Sequence, residues 1–569
     1  MRNKLPRVLA CLALLVIAGC VAPQPIRQSA PAPSNQLVVT ANPQAAAAAQ
    51  EILRQGGSAV DAAIAAEAVL GLVEPQASGL LGGTDLLVWS PVTGKVENID
   101  GMATAPASAT LSLALDSDGT MLDPRNLAFS PRAVGVPGVL PALFAAHKSY
   151  GKLPWAKLFE PAIQLASNGT AMPHQLYRLL TAPGAEQALS ELRASYLNSR
   201  GEVIPEGNRF SNPAYAAILR RVAAGGPDGL FAEGGMTAIL RELQRGAYAS
   251  GITAEDLRNA TPRVGPAICE PWQAYRICTA PPPAAGSFVM LQVLAMIEPG
   301  RRDSGVFVHR FLEASRLAQA DRRRYLADPA YLDVPERELL DRGYLEQRAG
   351  LIMPNNTIDQ PHAGNLVEDD NDGDDPHNPQ AGTSTVTVVD ASGMAVAMTS
   401  TINLHFGARI AAEGMVFNNA LINFAPPPPT TLKEEGGRYA NEMAPGKRPL
   451  SPIAPVIVLD SNNRPVLIGG GAGGPQIPDT VAMALIDTLA MGLNPREALA
   501  AGHFHAADPD HIVVELGTEA EALIPALEAS GHRVASEPVD TGTAILLHTQ
   551  SGWTGAADPR RDGVVLGVP

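Results

Sequence analysis

The apolar positions in the first half of the chain recur mainly at helical spacing. Residues 43–54 predict an Ala-rich helix with Ile52 and Leu53 on its apolar side. Residues 60–72 are nearly all small and apolar, which predicts a buried helix. Residues 306–326 carry apolar side chains along one face and predict another helix. Further helices are predicted at 137–150, 155–168, 480–491 and 495–501.

The pattern changes to strict alternation after residue 383. Residues 384–389 and 394–402 alternate on either side of a turn at 391–393 and predict a β-hairpin. Residues 455–459 and 466–468 predict a second hairpin. An earlier strand pair is predicted at 84–90 and 95–99. Periodicity alone therefore indicates the α+β class without fixing how the layers are arranged.

A stretch without apolar periodicity precedes this change. Residues 354–380 carry Gly, Asn and Pro around six acidic residues between positions 368 and 375. Such a segment buries too little apolar surface to offset its ordering entropy, so we predict a disordered linker over 354–382. Its acidic run is similar to a calcium loop, but Pro379 stands where an EF-hand needs a bidentate glutamate, which excludes that site.

Thr383 stands where this linker meets the first strand of the alternating pattern. Its hydroxyl could attack the carbonyl of Gly382, and hydrolysis of the resulting ester would leave Thr383 as a new N-terminus. The free α-amine would then act as general base for the threonine oxygen, since its reference pKa is roughly 7.7–8.0. The alternative is a linker followed by an ordinary threonine-rich strand.

The charge and motif content exclude several function classes. The net charge is −15 and no basic stripe is present, which argues against a nucleic-acid partner. The glycine-rich run at 469–474 is not followed by Lys-Ser or Lys-Thr, so it is a poor phosphate loop. We predict no metal and no cofactor.

The N-terminus is predicted to be a targeting segment. Three basic residues precede the apolar run 8–17, which is too short to span a membrane as a mature helix. The sequence Ile17-Ala18-Gly19-Cys20 has the form of a bacterial lipobox, with Cys20 taking the lipid. We therefore expect a lipoprotein signal at 1–20 and a flexible tether at 21–37. The alternative is a plain signal peptide with an incidental cysteine.

Export and lipidation set expectations for location and for the remaining cysteines. Val21 is not the aspartate that retains many lipoproteins at the inner membrane, so we expect the outer membrane, facing the periplasm. Cys269 and Cys278 flank a segment that looks like a hairpin. Two thiols on paired strands of an exported protein predict a disulfide.

Short motifs follow one another along most of the chain. They are Ala41-Asn42-Pro43, Gly56-Gly57-Ser58-Ala59-Val60-Asp61-Ala62-Ala63, Val73-Glu74-Pro75, Ser78-Gly79-Leu80-Leu81-Gly82-Gly83, Ala320-Asp321-Arg322, Asn418-Asn419, Gly446-Lys447-Arg448-Pro449-Leu450-Ser451-Pro452 and Gly471-Ala472-Gly473-Gly474. Their order and spacing resemble the γ-glutamyltransferase (γ-glutamyl transpeptidase) family of N-terminal-nucleophile hydrolases, from about Val38 to Pro569. The resemblance implies a four-layer αββα sandwich, made as one chain and cut into a large-subunit region at 38–353 and a small-subunit region at 383–569.

The resemblance also assigns roles around the cleavage site. It makes Thr383 the nucleophile and places Thr401 beside it as a hydrogen-bond partner. Thr401 lies on the returning arm of the same predicted hairpin, which makes that proximity plausible from the pattern alone. Asn403 is implied to hold the substrate. Gly473 and Gly474 match the pair whose N–H groups stabilise the oxyanion.

The positions that would recognise an amino acid depart from the family pattern. Met102 stands where the family has an arginine for the substrate α-carboxylate, and Asn423 replaces the aspartate that pairs with the α-ammonium. The substrate-binding Ser451 is followed by proline rather than by a second serine. The catalytic centre is therefore expected to be intact and the recognition shell rebuilt. Three arginines are candidates for a replacement cation, namely Arg132, Arg409 and Arg448.

Three functions follow as hypotheses. The first is a self-processing enzyme that transfers the acyl group of a γ-glutamyl amide, glutathione for example, to water or an amine, its two fragments remaining together as a heterodimer. The second keeps the mechanism with another N-acyl donor, a glutaryl-type amide or a γ-linked polymer. The third is a catalytically silent binding lipoprotein. His405, close to Asn403, is taken as a structural polar residue.

Overall fold

The computed structural model describes residues 33–366, 373–376, 382–434, 436–508 and 511–568. The predicted signal segment and Cys20 lie outside the described residues, as does most of the tether. Within the described ranges, no helix combines the length and apolar character needed to cross a membrane.

Helices dominate the part of the chain before residue 350. Asn42 caps the first helix by accepting a hydrogen bond from the N–H of Gln44, and Ser58 and Asp61 form a reciprocal capping box on the second. The described α-helices are α1 (Pro43–Arg54), α2 (Ala59–Val73), α3 (Pro124–Ala128), α4 (Val139–Tyr150), α5 (Glu160–Asn168), α6 (His174–Leu180), α7 (Glu186–Tyr196), α8 (Pro213–Gly225), α9 (Gly235–Leu243), α10 (Ala254–Arg258), α11 (Ala285–Met296), α12 (Gly305–Tyr325), α13 (Glu336–Leu339), α14 (Arg342–Ala349), α15 (Thr430–Glu434), α16 (Ile477–Leu485), α17 (Pro495–Ala500) and α18 (Ile524–Ala529).

Most of the strands lie in the second half of the chain. The described strands are β1 (Leu37–Thr40), β2 (Gly83–Ser90), β3 (Lys95–Gly101), β4 (Thr170–Ala171), β5 (Arg209–Phe210), β6 (Arg263–Pro266), β7 (Ile268–Trp272), β8 (Tyr275–Thr279), β9 (Gly382–Val389), β10 (Ala395–Asn403), β11 (Ala411–Ala412), β12 (Met415–Val416), β13 (Val456–Leu459), β14 (Pro465–Gly470), β15 (Phe504–Asp508), β16 (His511–Glu515), β17 (Val534–Glu537), β18 (Ala544–Thr549), β19 (Gly552–Ala557) and β20 (Val564–Gly567).

Two large antiparallel sheets form the centre of the molecule. One has seven strands in the order β20-β1-β9-β10-β2-β3-β6, and the other has six in the order β19-β18-β14-β13-β8-β7. The predicted hairpin after residue 383 is confirmed as β9 and β10, and the second predicted hairpin is confirmed as β13 and β14. Each sheet combines strands from before and after Thr383.

Alternation along the strands separates the core into layers. Val38, Val386 and Val388 face α1, α2 and α4, whereas Leu37 and Val39 point to the space between the two sheets. In the six-stranded sheet, inter-sheet apolar residues alternate with residues that pack against α11, α12 and α16. The order is therefore helices, sheet, sheet, helices, which confirms the αββα sandwich.

The described parts of the predicted linker are packed rather than disordered. The N–H of Ile358 donates to Glu313 on α12, and the N–H of Gly364 donates to Asp321 on the same helix. Further along, Asp375 is 1% exposed. The composition of this stretch predicted disorder because it lacks apolar periodicity. Its described part is held by these hydrogen bonds to α12 and by Ile358, Ala363 and Leu366, which pack partly buried against the apolar core.

Candidate active site

The predicted nucleophile lies at the buried end of a central hairpin. β9 begins at Gly382, so the bond between Gly382 and Thr383 lies at the start of this strand. The hydroxyl Oγ1 of Thr383 donates to Oγ1 of Thr401 over 3.4 Å, and Thr401 Oγ1 donates to the carbonyl oxygen of Gly382 over 2.5 Å. Thr383 is 1% exposed and Thr401 is 6% exposed. The Thr401 hydroxyl thus contacts both Thr383 Oγ1 and the Gly382 carbonyl that Thr383 would attack.

The end of β10 orients that hydroxyl. The pairing of β9 and β10 shifts by a bulge between Ser400 and Asn403, and Asn403 adopts a positive φ of 77° opposite Gly382. The backbone N–H of Asn403 donates to Thr401 Oγ1 over 2.8 Å, and its side-chain amide donates to the carbonyl of Asn419 over 3.3 Å. Thr401 Oγ1 therefore accepts two hydrogen bonds and donates one, which is the full capacity of a hydroxyl.

A glycine is required before the nucleophile because there is no room for a side chain. A Cβ built on Gly382 would lie 2.9 Å from the carbonyl oxygen of Gln76 and 3.0 Å from Nδ1 of His405. His405, which sequence analysis set aside, therefore lies against the bond to be cut. Its Nε2 is 3.3 Å from Asp540, and its buried Nδ1 has no hydrogen-bond partner within the described residues.

Arg561, which is paired with Asp540, contacts the backbone of the nucleophile Thr383. Arg561 donates from Nη1 to the carbonyl of Thr383 over 2.7 Å and pairs through Nε with Asp540 over 3.1 Å. Burial of Asp540 disfavours its charge, but Arg561 and His405 together hold the pKa of this carboxyl below its ordinary value. No local sequence pattern marks these two residues, because both are far from Thr383 along the chain.

Two buried carboxyl groups, Glu67 of α2 and Glu74 directly after its end, support the hairpin from behind. Ser384 Oγ donates to Glu74 over 2.5 Å and Ser400 Oγ donates to Glu67 over 2.8 Å; the two serines are cross-strand partners in β9 and β10. Burial raises the pKa of each carboxyl to about 7, and the hydrogen bond from serine opposes that rise. In the sequence, the signal for this support is Glu67, an acidic residue inside an otherwise mostly apolar predicted helix.

Glu67 predicts a specific dependence of stability on pH. Its folded-state pKa is about 7 against an ordinary value of 4.5, so the folded chain binds more protons than the unfolded chain between these values. Its contribution is complete below pH 4.5 and is lost as the pH rises through 7, amounting to about 3 kcal/mol. We expect Glu67→Gln to flatten the fall in Tm between pH 5 and pH 8. The exposed Glu51→Gln is the control, and an unchanged slope in Glu67→Gln would contradict the assignment.

Gly473 and Gly474 lie between β14 and α16, on the side of the Arg561–Asp540 pair. Their φ angles are 128° and 66°, a region that side chains disfavour. A Cβ on Gly473 would lie 3.2 Å from the carbonyl oxygen of Asp540, the same oxygen that accepts from Arg561. The pair is thus close to the Arg561 side chain that contacts Thr383.

Asn423 and Ser451 meet in one small pocket. Asn423 donates from Nδ2 to the carbonyl of Leu450 over 3.1 Å, and its buried Oδ1 has no partner within the described residues. Pro475, next to Gly474, also lines the pocket, and so does Arg322 of α12. Arg322 belongs to the Ala320-Asp321-Arg322 motif, whose pattern alone does not predict a role in binding.

Met102 does not occupy the position expected for a substrate contact. Its side chain is 4% exposed and belongs to the apolar cluster between the sheets, together with Leu87, Ala284 and Ile453. Only its backbone is near the site, packed against Gly83. The expectation that Met102 lines the recognition pocket is therefore wrong, because the chain buries this thioether in the core.

The three arginines considered as replacement cations are engaged elsewhere. Arg448 pairs with Asp100 over 3.2 Å and also donates to the carbonyl of Thr261. Arg409 stacks over the ring of Phe129 at 3.7 Å. Arg132 donates a hydrogen bond to the carbonyl of Leu115. None of them lines the pocket of Asn423 and Ser451.

Cys269 and Cys278 are joined by a disulfide across paired positions of β7 and β8. It closes the hairpin at the edge of the six-stranded sheet, as the sequence predicted. Among the residues that the structure describes, no group of three or more His, Cys, Asp or Glu is arranged to hold a metal ion.

The layered fold, with a threonine at the start of a central strand, is that of an N-terminal-nucleophile hydrolase. A family model described as Gamma-glutamyltranspeptidase matches residues 45–568. The glutathione hydrolase proenzyme of Escherichia coli (strain K12) is 32% identical, covering 90% of this chain and 88% of its own length. The acylase ACY 1 proenzyme of Pseudomonas sp. (strain SE83) is also 32% identical and covers 94% of each chain.

A solved structure gives the same result for the fold. The crystal structure of cephalosporin acylase from Bacillus halodurans superposes with a TM-score of 0.83 at 25% identity, covering 98% of this chain and 100% of the acylase. The chain belongs to the γ-glutamyltranspeptidase family, and it is an enzyme of that family.

Proposed function

We propose that this enzyme cuts itself between Gly382 and Thr383 and then uses Thr383 to transfer acyl groups from amides. The observation that carries the proposal is the single Thr401 hydroxyl bonded to both Thr383 Oγ1 and the Gly382 carbonyl. The word proenzyme in the names of the E. coli and Pseudomonas relatives supports a processed chain.

Self-cleavage begins when Thr383 Oγ1 bonds to the carbonyl carbon of Gly382. The carbon–nitrogen bond then breaks, and the hydroxyl proton ends on the nitrogen of Thr383, which becomes a free amine. Thr401 donates to the carbonyl oxygen on which negative charge develops. Water next hydrolyses the ester, so that Gly382 gains a carboxylate and Thr383 recovers its hydroxyl.

Turnover repeats the same bond changes with an external amide. Thr383 Oγ1 attacks the donor carbonyl, the new α-amine takes its proton, and the leaving amine is protonated. Water or an acceptor amine then removes the acyl group from Thr383. Gly473 and Gly474 would supply backbone N–H groups to the oxyanion, a contribution on the order of 3 kcal/mol per donor.

The donor we propose first is a γ-glutamyl amide such as glutathione, as the name of the E. coli relative suggests. A second donor class is another N-acyl compound, a glutaryl-type amide or a γ-linked polymer. The acylase names and the uncharged Asn423 favour this second class. The presence of Thr383 in hydrogen-bond contact with Thr401 argues against a catalytically silent binding protein.

The experiment is a parallel incubation of the purified, processed enzyme with a γ-glutamyl chromogenic amide and its glutaryl analogue, with Thr383→Ala as blank. We expect release of the chromophore from at least one of them, and the ratio of kcat/KM assigns the donor class. If neither is cleaved by a protein that has been processed, the proposed donor chemistry is wrong.

We also propose that the enzyme is exported and anchored by lipid on Cys20, facing the periplasm from the outer membrane. The lipobox of residues 17–20 supports this. We expect the wild-type protein to sediment with membranes and to resist extraction with high salt, whereas Cys20→Ala is soluble after signal removal. A Cys20→Ala protein that still resists salt would contradict the anchor, and Cys11→Ala is the control within the signal.

A further inference from the structure

The imidazole of His405 lies within reach of the carbonyl group that self-cleavage would attack. Its Nδ1 is 3.0 Å from the position that a Cβ on Gly382 would occupy. That position is about 2.5 Å from the carbonyl carbon of the same residue, so Nδ1 lies within about 5.5 Å of this carbon. One water molecule spans such a distance, because each of its hydrogen bonds is about 2.8 Å long. Proton transfer through one water is therefore geometrically possible here.

Asp540 determines which nitrogen of this ring can take up a proton. Its Oδ2 lies 3.3 Å from Nε2 of His405. A carboxylate beside Nε2 favours the tautomer that carries its proton on Nε2 and leaves the lone pair on Nδ1. Arg561 and Arg178 contact the same carboxylate over 3.1 Å and 3.3 Å, so it is held in place from three sides. The basic nitrogen of the ring is thus the one that faces Gly382.

This basic nitrogen is not used by any other contact within the described residues. Nδ1 of His405 is buried and has no hydrogen-bond partner there. A buried polar atom without a partner costs free energy, and a catalytic role is one of the reasons for which such atoms are retained. The side chain as a whole is 34% exposed, so the ring extends from solvent to the buried Gly382.

The ester stage of self-cleavage needs a base in a different place from the amine of Thr383. Once Thr383 Oγ1 carries the Gly382 acyl group, the freed amine is itself a nucleophile that can restore the amide. Cleavage therefore depends on how fast an activated water reaches the ester. Successive residues of a strand direct their side chains to opposite faces. His405, at the side-chain position of Gly382, thus lies on the other face of β9 from the Thr383 side chain.

We propose that His405 is the general base for the water that hydrolyses the ester between Gly382 and Thr383. Nδ1 takes a proton from the water as the water oxygen bonds to the Gly382 carbonyl carbon. The imidazolium releases that proton through solvent to the Thr383 amine, and the amine passes it to Oγ1 as the carbon–oxygen bond breaks. The second proton of the water leaves as Gly382 becomes a carboxylate. Asp540 is a positioning residue, since it holds the tautomer and stabilises the imidazolium.

The test follows processing of the full chain at neutral pH, with and without hydroxylamine. Hydroxylamine attacks esters without the help of a base, so it cleaves the intermediate and leaves a hydroxamate on Gly382. His405→Gln keeps an amide N–H that can face Asp540 but removes the basic nitrogen. We expect it to be processed about 10²- to 10⁴-fold more slowly than the wild type. Hydroxylamine should restore both fragments, and mass spectrometry should find the hydroxamate on Gly382.

Three controls accompany this measurement. Thr383→Ala forms no ester and should stay uncut at this bond in hydroxylamine; it also reports background cleavage at Asn168-Gly169. Thr401→Val slows formation of the ester, so hydroxylamine should restore its processing much less. His548→Gln changes an exposed histidine of β18 and should be processed like the wild type.

The proposal is overturned if His405→Gln is processed at the wild-type rate. It is also overturned if a His405→Gln protein that is folded by circular dichroism stays uncut in hydroxylamine, because the defect then precedes the ester. His405→Phe keeps an aromatic ring without a basic nitrogen, and it takes the place of His405→Gln in the same measurement if that protein does not fold.

The inference rests on the proposed self-cleavage, and the two can fail separately. Cutting of Thr383→Ala at this bond would remove self-cleavage and the role of His405 together. An uncut Thr383→Ala protein beside a His405→Gln protein of wild-type processing rate would leave self-cleavage in place and remove only the role of His405.

Discussion

Thr383→Ala is expected to remain a single chain on a denaturing gel, whereas the wild type separates into fragments that end at Gly382 and begin at Thr383. The substitution removes the only atom that can attack the Gly382 carbonyl in the proposed mechanism. It also removes the nucleophile of turnover, so activity should fall by roughly 10⁴-fold or more.

The hairpin provides a matched control for this change. Thr385 lies two residues further along β9 and is equally buried, and its hydroxyl has no hydrogen-bond partner within the described residues. Thr385→Ala should therefore be processed and active. Thr383→Ser should also be processed, because it keeps the hydroxyl. Cleavage of Thr383→Ala at the same bond would rule out self-cleavage by this residue.

Thr401→Val is expected to slow both self-cleavage and turnover. Valine keeps the shape of threonine but removes the hydroxyl that donates to the Gly382 carbonyl and contacts Thr383. Loss of one such donor costs on the order of 10²- to 10³-fold in rate. The rate of processing can be followed on a denaturing gel after synthesis. The kcat is measured separately on the mature enzyme that accumulates.

Thr399 supplies the control for this second change. It lies on the same strand, is buried, and has a hydroxyl without a partner within the described residues. Thr399→Val should process at the wild-type rate, and Thr401→Ser should restore most of the lost rate. If Thr401→Val and Thr399→Val behave alike, the Thr401 hydroxyl has no special role in the reaction.

Periodicity predicted the elements that pack on one face or alternate cleanly. The helix at 43–54 and the β9–β10 hairpin lie where the pattern placed them, because their apolar spacing reports their burial. The helix at 480–491 begins earlier than predicted, at Ile477, and continues beyond Leu485 as a π turn. Helix α11 was not predicted, although it is buried on nearly every side as α2 is; it follows directly on the prolines at 281–283.

From the local pattern alone, the site was predictable only where neighbours in sequence are neighbours in space. Thr383 and Thr401 meet because a hairpin joins them, and sequence alone suggested that. Asp540 and Arg561 reach Thr383 through the folding of distant strands, which no local pattern encodes. Met102 was misplaced because matching a position to a family motif fixes the backbone and not the direction of the side chain.

The position of β1 in the seven-stranded sheet has a consequence for where the mature enzyme resides. This first strand lies between β9, which starts at the nucleophile, and β20, which ends the chain. Cutting the chain at Gly382 therefore leaves the catalytic fragment hydrogen-bonded on both sides of the segment that follows the proposed anchor. In the lipoprotein proposed above, one lipid on Cys20 would hold both fragments at the membrane through these strand pairings.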